Sequence, residues 1–329
     1  MLTVNTIAEA RAACTEARAE GRSVGLVPTM GAFHAGHRSL MATARGECDF
    51  VVVSLFVNPT QFSPNEDLAA YPRDLHGDTG IAEAVGVDLM FVPTVEAMYP
   101  EPGRTTVHVG GLTTGLCGGG RPGHFDGVAT VVTKLFAIAG PCRAYFGRKD
   151  AQQLAVVRRL VRDLDLPVEV VGCPLVRDDD GLAMSSRNAY LDAEERAGAL
   201  VLLRALRAGV EAVTAGLRDG AALRALVAAA ITGVGAVTLE YAEVVDPTTL
   251  EPIVELDRTA LVAVAARVGR ARLIDNVTLD LEGERVTADL GITADGVPIP
   301  ARPEGERAGD SRSGDSRSGD PVPANRVSP

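Results

Sequence analysis

The run FVVVSLFV, Phe50 to Val57, constrains this fold more than any other segment. It is continuously apolar, rich in β-branched side chains, and stops at Asn58-Pro59. A strand without an outward polar face must be covered on both sides, as a central strand of a parallel sheet is. The neighbouring sequence supplies the cover. Val24–Val27, Asp88–Val92, Ala144–Phe146 and Val168–Val171 read as further buried strands. Ala8–Ala19, His34–Arg45, Leu75–Val85, Gly123–Ala139 and Asp150–Leu164 read as the intervening helices. Such alternation implies βαβ units, hence an α/β fold with a parallel sheet flanked by helices. The second half differs. Two helical stretches, Ala193–Leu217 and Gly220–Ala230, precede strands at Thr238–Val245, Ala260–Val268 and Ala271–Leu279, which predicts a smaller α+β C-terminal domain. The expected division is a first domain over residues 1–175, a second over 176–300, and a disordered tail over 301–329. The tail repeats GDSRS and is nearly devoid of apolar residues.

Composition narrows the partners. The 329 residues carry 32 basic and 43 acidic side chains, a net charge of −11, which disfavours nucleic acid and anionic membrane surfaces. An anionic ligand would need specific local groups. No apolar run is long enough to span a membrane, and the N-terminus lacks the apolar core of a secretory signal. Five widely spaced cysteines with no C-x-x-C point to free thiols in a reducing cytoplasm. Only Lys134 and Lys149 are lysines; every other basic side chain is arginine. An ammonium is a compact point charge that a planar guanidinium does not always replace.

Four segments carry candidate chemistry. PTMGAFHAGH, Pro28 to His37, passes from a buried strand through a glycine turn into a helix bearing His34 and His37. A helix start attracts phosphate, and residues three apart share a face, so both imidazoles can address one ligand. A metal-binding pair or a purely structural histidine are the alternatives; no third ligand lies nearby in sequence. FVNPTQF, Phe56 to Phe62, places Asn58 and Gln61 at a strand's carboxyl end, where open parallel sheets bind ligands. YFGRKD, Tyr145 to Asp150, repeats the strand-to-helix passage and puts Lys149 at the same edge. Gln153 follows on the next helix, where it can face the crevice. MSSRN, Met184 to Asn188, offers two hydroxyls and a guanidinium suited to a triphosphate. The preceding DDDG suggests a mobile, lid-like loop.

With YPRD (Tyr71–Asp74), RPGHFDGV (Arg121–Val128), FGRKDAQQ and DGLAMSSRNAYL, these segments follow one another in an order that resembles the AMP-forming pantoate–β-alanine ligases, the pantothenate synthetase family. The resemblance runs from about Thr3 to Leu281. It implies a Rossmann-like domain of nucleotidyltransferase type, a smaller lid domain and usually a homodimer. It implies ATP as substrate, Mg²⁺, and condensation of pantoate with β-alanine through pantoyl adenylate, releasing pyrophosphate and AMP. It assigns Met30, Gly31, Ala32, Phe33, His34, Ala35, Gly36 and His37 to the nucleotide, with His37 as proton donor. Gly147, Arg148, Lys149, Asp150, Val176, Met184, Ser185, Ser186 and Arg187 fall to ATP as well, Gln61 and Gln153 to pantoate, and Gln61 to β-alanine too. His34, His37 and Lys149 are the catalytic candidates; no metal ligands are assigned. Val131 and Val132 are expected to pack against pantoate's methyl groups.

Three positions depart from the family pattern: Phe33 for a usual leucine, Arg148 for an acidic, amide or lysine residue, and Ala151 for an aromatic. None removes a group assigned to chemistry. A nucleotidyltransferase acting on a phosphate-bearing substrate would share the H-x-G-H helix, but leaves FVNPTQF and MSSRN without a purpose. A nucleotide sensor without turnover would be expected to lack one of His34, His37, Lys149 or Arg187, and all are present.

Overall fold

The structure, a computed structural model, describes residues 1–300 apart from Asn65 and Pro102. The tail expected over 301–329 lies outside the described residues. In the first half, β1 (Leu2–Val4), α1 (Ile7–Ala19), β2 (Val24–Thr29), α2 (Ala35–Glu47), β3 (Phe50–Leu55), α3 (Leu75–Val85) and β4 (Leu89–Phe91) alternate. Two short helices follow, α4 (Val95–Met98) and α5 (Leu116–Gly120). Then come α6 (His124–Ala139), β5 (Cys142–Gly147), α7 (Ala151–Asp163) and β6 (Val168–Cys173). All six strands pair in parallel, in the order β1-β4-β3-β2-β5-β6. Five of the six residues of β3 are buried, as its unbroken apolar run requires. Apolar side chains of α1, α6 and α7 pack on one face of the sheet, and those of α2 on the other. Thr6 and Glu9 form a capping box at the start of α1.

The chain leaves β2 toward β3 on one side and β5 toward β6 on the other. The carboxyl ends of β2 and β5 therefore flank the switch point of the sheet, where a crevice opens.

The second unit holds β7 (Val176–Arg177), α8 (Ala193–Ala199), α9 (Val201–Thr214), α10 (Gly220–Ile231), β8 (Val237–Val245), β9 (Ala260–Val268), β10 (Ala271–Glu282), β11 (Arg285–Asp289) and β12 (Ile292–Thr293). The strands β8 to β11 form an antiparallel sheet with its own core beneath α9 and α10. The single helix expected over Ala193–Leu217 is two, because the Leu200 amide turns back to the Gly198 carbonyl. Strands β11 and β12 were not foreseen; both are short, and β11 is an edge strand. Elsewhere on this sheet Val245, Leu261 and Ala263 meet Leu116 and Ala151 of the first unit. Ala151, the departure from an expected aromatic, thus sits where the two units touch. At the junction β12 returns to pair with β7. Among the described residues no helix is long and apolar enough to cross a membrane, and all five cysteines are unpaired.

Candidate active site

Two adjoining cavities open at the carboxyl edge of the parallel sheet. The smaller, about 230 Å³, is walled by Met30, His34, Gly36 and His37 after β2 and by Gln61 after β3. Gly147, Lys149, Asp150 and Gln153 after β5, and Val176 with Met184–Arg187 from the second unit, complete its polar wall. Val128, Val131 and Val132 of α6 form its apolar side. The larger, about 350 Å³, shares Lys149, Asp150, Gln153, Ser185 and Arg187 with it and extends between the units. Together they reach the size of a small-molecule site. Both histidines and the lysine face one cleft. Gly31, Ala32, Phe33, Ala35 and Arg148 lie off its walls. Arg148 turns away to pair with Asp289 at 2.7 Å, a use for the cation that departs from the family pattern.

The histidine turn is organised from within. His34 caps α2, and its Nδ1 accepts the Gly36 amide at 3.1 Å, while the His34 amide donates to His37 Nδ1 at 3.4 Å. Each ring thus uses Nδ1 as an acceptor, which leaves the proton of the neutral ring on Nε2. The rings lie 4.2 Å apart. Burial, and then the neighbouring Lys149 charge, holds His34 down to about 4. Burial, His34 and Lys149 hold His37 down to about 3. Both are neutral Nε2–H donors at physiological pH. The amides of Ala32 and Phe33 donate to the buried Asp78 carboxylate at 2.9 and 2.6 Å. This carboxylate holds Gly31 and Ala32 in left-handed backbone, φ 85° and 53°. Burial raises the Asp78 carboxyl, and those two amides oppose the rise. The sequence suggested that free backbone amides here would attract phosphate. Those of Ala32, Phe33, His34 and Gly36 are already engaged inside the turn.

The Gln61 turn is equally fixed. The buried Asn58 amide donates to Gln61 Oε1 and to the Gly127 carbonyl, both at 3.1 Å, and Asn58 Oδ1 accepts from the Tyr99 hydroxyl at 2.9 Å. Gln61 Oε1 is thereby engaged, and its Nε2 donates to the Met30 sulfur at 3.1 Å, a weak acceptor. A Cβ on Gly127 would lie 2.4 Å from the Thr60 carbonyl, so only glycine lets α6 come this close. Asn58 borders the smaller cavity as expected, and its side chain also orients Gln61.

Sequence reasoning missed several groups. His124 Nδ1 meets the Gln61 carbonyl at 2.7 Å, and its Nε2 meets Arg121, which pairs with Glu66. Burial first, then Arg121, holds His124 down to about 4. Arg187 pairs with Asp67 at 3.0 Å, and Ser186 reaches the Tyr71 hydroxyl at 3.4 Å. The motifs RPGHFDGV and YPRD contain His124 and Tyr71; Glu66 and Asp67 lie between motifs and gave no signal. Of the three aspartates before this loop, Asp178 and Asp180 both pair with Arg196. Gln152 is structural, bonded to the Leu112 and Gly115 carbonyls, while Gln153 faces the smaller cavity. Lys134 lies over the Tyr99 ring, away from the cleft.

A family model described as pantoate-beta-alanine ligase matches residues 2–278. The chain belongs to the pantoate–β-alanine ligase family. It is 54% identical over 283 residues to the pantothenate synthetase of Koribacter versatilis, covering 86% of this chain and 97% of that protein. It is 52% identical over 281 residues to that of Heliobacterium modesticaldum, covering 85% and 100%. Among solved structures, pantothenate synthetase from Thermus thermophilus superposes with a TM-score of 0.80 at 51% identity, covering 84% of this chain and 98% of the other. Pantoate-beta-alanine ligase from Francisella tularensis, solved with beta-gamma ATP and beta-alanine, gives 0.68 at 32% identity, covering 84% and 97%. The cleft of this pantoate–β-alanine ligase lies at the sheet edge where open α/β folds bind nucleotides.

Proposed function

We propose that the paired cavities are where this pantoate–β-alanine ligase makes and consumes pantoyl adenylate. Pantoate lies in the smaller cavity, its paired methyls against Val131 and Val132. Gln61 Nε2 and Gln153 bond its polar groups. ATP spans both cavities, with Met30, His34, Gly36, His37, Gly147, Val176, Met184 and Ser186 against it in the smaller and Lys149, Asp150, Ser185 and Arg187 where the two join. The pantoate carboxylate attacks the α-phosphorus, forming a P–O bond as the bond to pyrophosphate breaks. The β-alanine amine then attacks the acyl carbonyl, its proton is lost, and AMP leaves.

The observation that carries this reading is that His34, His37 and Lys149 line one cavity. Negative charge grows on the phosphates as the bond to pyrophosphate breaks. Two neutral Nε2–H donors and one ammonium, fixed beforehand, stabilise it without reorganisation. The depressed imidazole values make hydrogen-bond donation, rather than transfer of a stored proton, the resting role of His37. Ser185, Ser186 and Arg187 hold the distal phosphates.

Mg²⁺ fits this site as a nucleotide-borne ion. No group of three or more metal-ligating side chains converges among the described residues, but Mg²⁺ usually needs only one or two carboxylates beside phosphate oxygens and water. Asp150, on the wall of both cavities, is the carboxylate placed to hold it. When bound, the ion neutralises phosphate charge. The unit over 176–300 acts as a lid that keeps water from the adenylate. A cytoplasmic homodimer completes the reading; five unpaired thiols support the reducing compartment.

Omitting each substrate in turn tests the assignment. Pyrophosphate is expected from ATP and pantoate alone, and AMP with pantothenate only after β-alanine is added. Pyrophosphate release that needs β-alanine from the start would contradict the order of steps.

A further inference from the structure

Lys149 sits in a three-residue 3-10 turn, Arg148–Asp150, between β5 and α7, and the N-cap position of α7 has no side-chain cap. So short a turn has few hydrogen bonds of its own. It is held from the other structural unit. Asn276, on β10, donates through Nδ2 to the Arg148 carbonyl at 3.1 Å and to the Lys149 carbonyl at 2.9 Å. A carboxamide has two N–H donors, one for each carbonyl. Asn276 is only 6% exposed, and its own amide donates to Asp275 Oδ1 at 2.7 Å. Asp275 is locked in turn by a buried two-pronged pair with Arg177 at 2.7 and 2.8 Å. Arg177 also donates to the Leu290 and Gly181 carbonyls. The Arg148–Asp289 pair is a second tie, but it is surface-exposed and contributes little.

We propose that Asn276 is a positioning residue for adenylate formation, and that it sets the Lys149 ammonium by pinning the two carbonyls of its turn. This rests on the role given to Lys149 above. Asn276 also borders the larger cavity, but its Nδ2 is taken up by the two carbonyls, so it acts through the backbone that carries the lysine. Its location makes the lysine's placement depend on contact between the two units, so the charge is fully in position only when they are docked.

The test is a double-mutant cycle on pantoate-dependent pyrophosphate release without β-alanine, with thermal melting as a check on folding. Asn276→Ala is expected to lower kcat by roughly 10- to 100-fold, the scale of a misplaced catalytic group, with the pantoate KM unchanged. In a Lys149→Ala background the same substitution should cost no more than about twofold, because the group it positions is gone. Asn276→Asp, of the same size, sets a carboxylate against two carbonyl oxygens and should lose at least as much. It carries the test if the alanine variant does not fold. Full adenylation by either folded variant, or losses that multiply in the double mutant, would overturn the proposal while leaving the Lys149 role intact. A silent Lys149→Ala would instead bring down the reading beneath it.

Discussion

Lowering the pH from 7.5 to 5 leaves an ordinary imidazole, with pKa near 6.5, about 97% protonated. The two histidines after β2 should behave differently. With His37 held near 3 and His34 near 4, both should remain largely neutral at pH 5 in the free protein. Burial and the adjacent Lys149 charge both act in this direction, and the backbone amides on each Nδ1 favour the neutral Nε2–H form. Ring nitrogen shifts in ¹⁵N-edited spectra report tautomer and charge together. Both residues should show a protonated Nε2 and a bare Nδ1 from pH 8 to 5. Midpoints near 6.5, or a protonated Nδ1 on either ring, would refute the account of the turn. A stability effect follows. The unfolded chain binds protons at these histidines, and at His124, below about 6.5, whereas the folded chain does not until about 4 or lower. Their contribution to stability is therefore complete above pH 6.5 and lost as the pH falls toward 4 to 3. The melting temperature should decline across that window.

His37→Ala and Lys149→Ala should each slow pyrophosphate release by roughly 10²–10³, the cost of one charge-stabilising donor; rapid-quench assays showing wild-type rates would remove them from the mechanism. Gln61→Ala should weaken pantoate binding and leave ATP binding little changed by calorimetry, because Gln61 lines the cavity beside Val131 and Val132, where pantoate is placed. Asp67→Asn frees Arg187 from a half-buried pair. It should tighten ATP binding by roughly twofold to fivefold, since such pairs are worth up to about 1 kcal/mol; weaker binding would mean that Asp67 supports the nucleotide site instead.

The parallel sheet was legible because its central strands carry their burial as continuous apolar runs, with Phe50–Leu55 the clearest case. Short edge strands were not: Leu2–Val4 and Ile292–Thr293 have too few residues to show a period. The site was legible at strand ends. His34, His37, Gln61, Lys149 and Gln153 all follow a buried run closely and all reach the cleft. What sequence could not show is which polar atoms are already engaged. Asn58 and Gln61 look alike in FVNPTQF and both border the smaller cavity, yet Asn58 is engaged by Tyr99, Gln61 and Gly127, whereas the Gln61 carboxamide nitrogen has only the weak sulfur acceptor of Met30. Long-range partners were equally hidden. Asp78 lies 46 positions from the amide of Ala32 that it holds, and Asn276 lies 127 from the carbonyl of Lys149. No local pattern encodes such pairs.

Isotope tracing reads the bond-making step itself. Pantoate labelled with ¹⁸O in its carboxylate is incubated with ATP and β-alanine, and the nucleotide product is analysed by mass spectrometry. Attack on the α-phosphorus followed by acyl transfer must leave one labelled oxygen in AMP and none in pyrophosphate. Unlabelled AMP, or label appearing in pyrophosphate or inorganic phosphate, would contradict it.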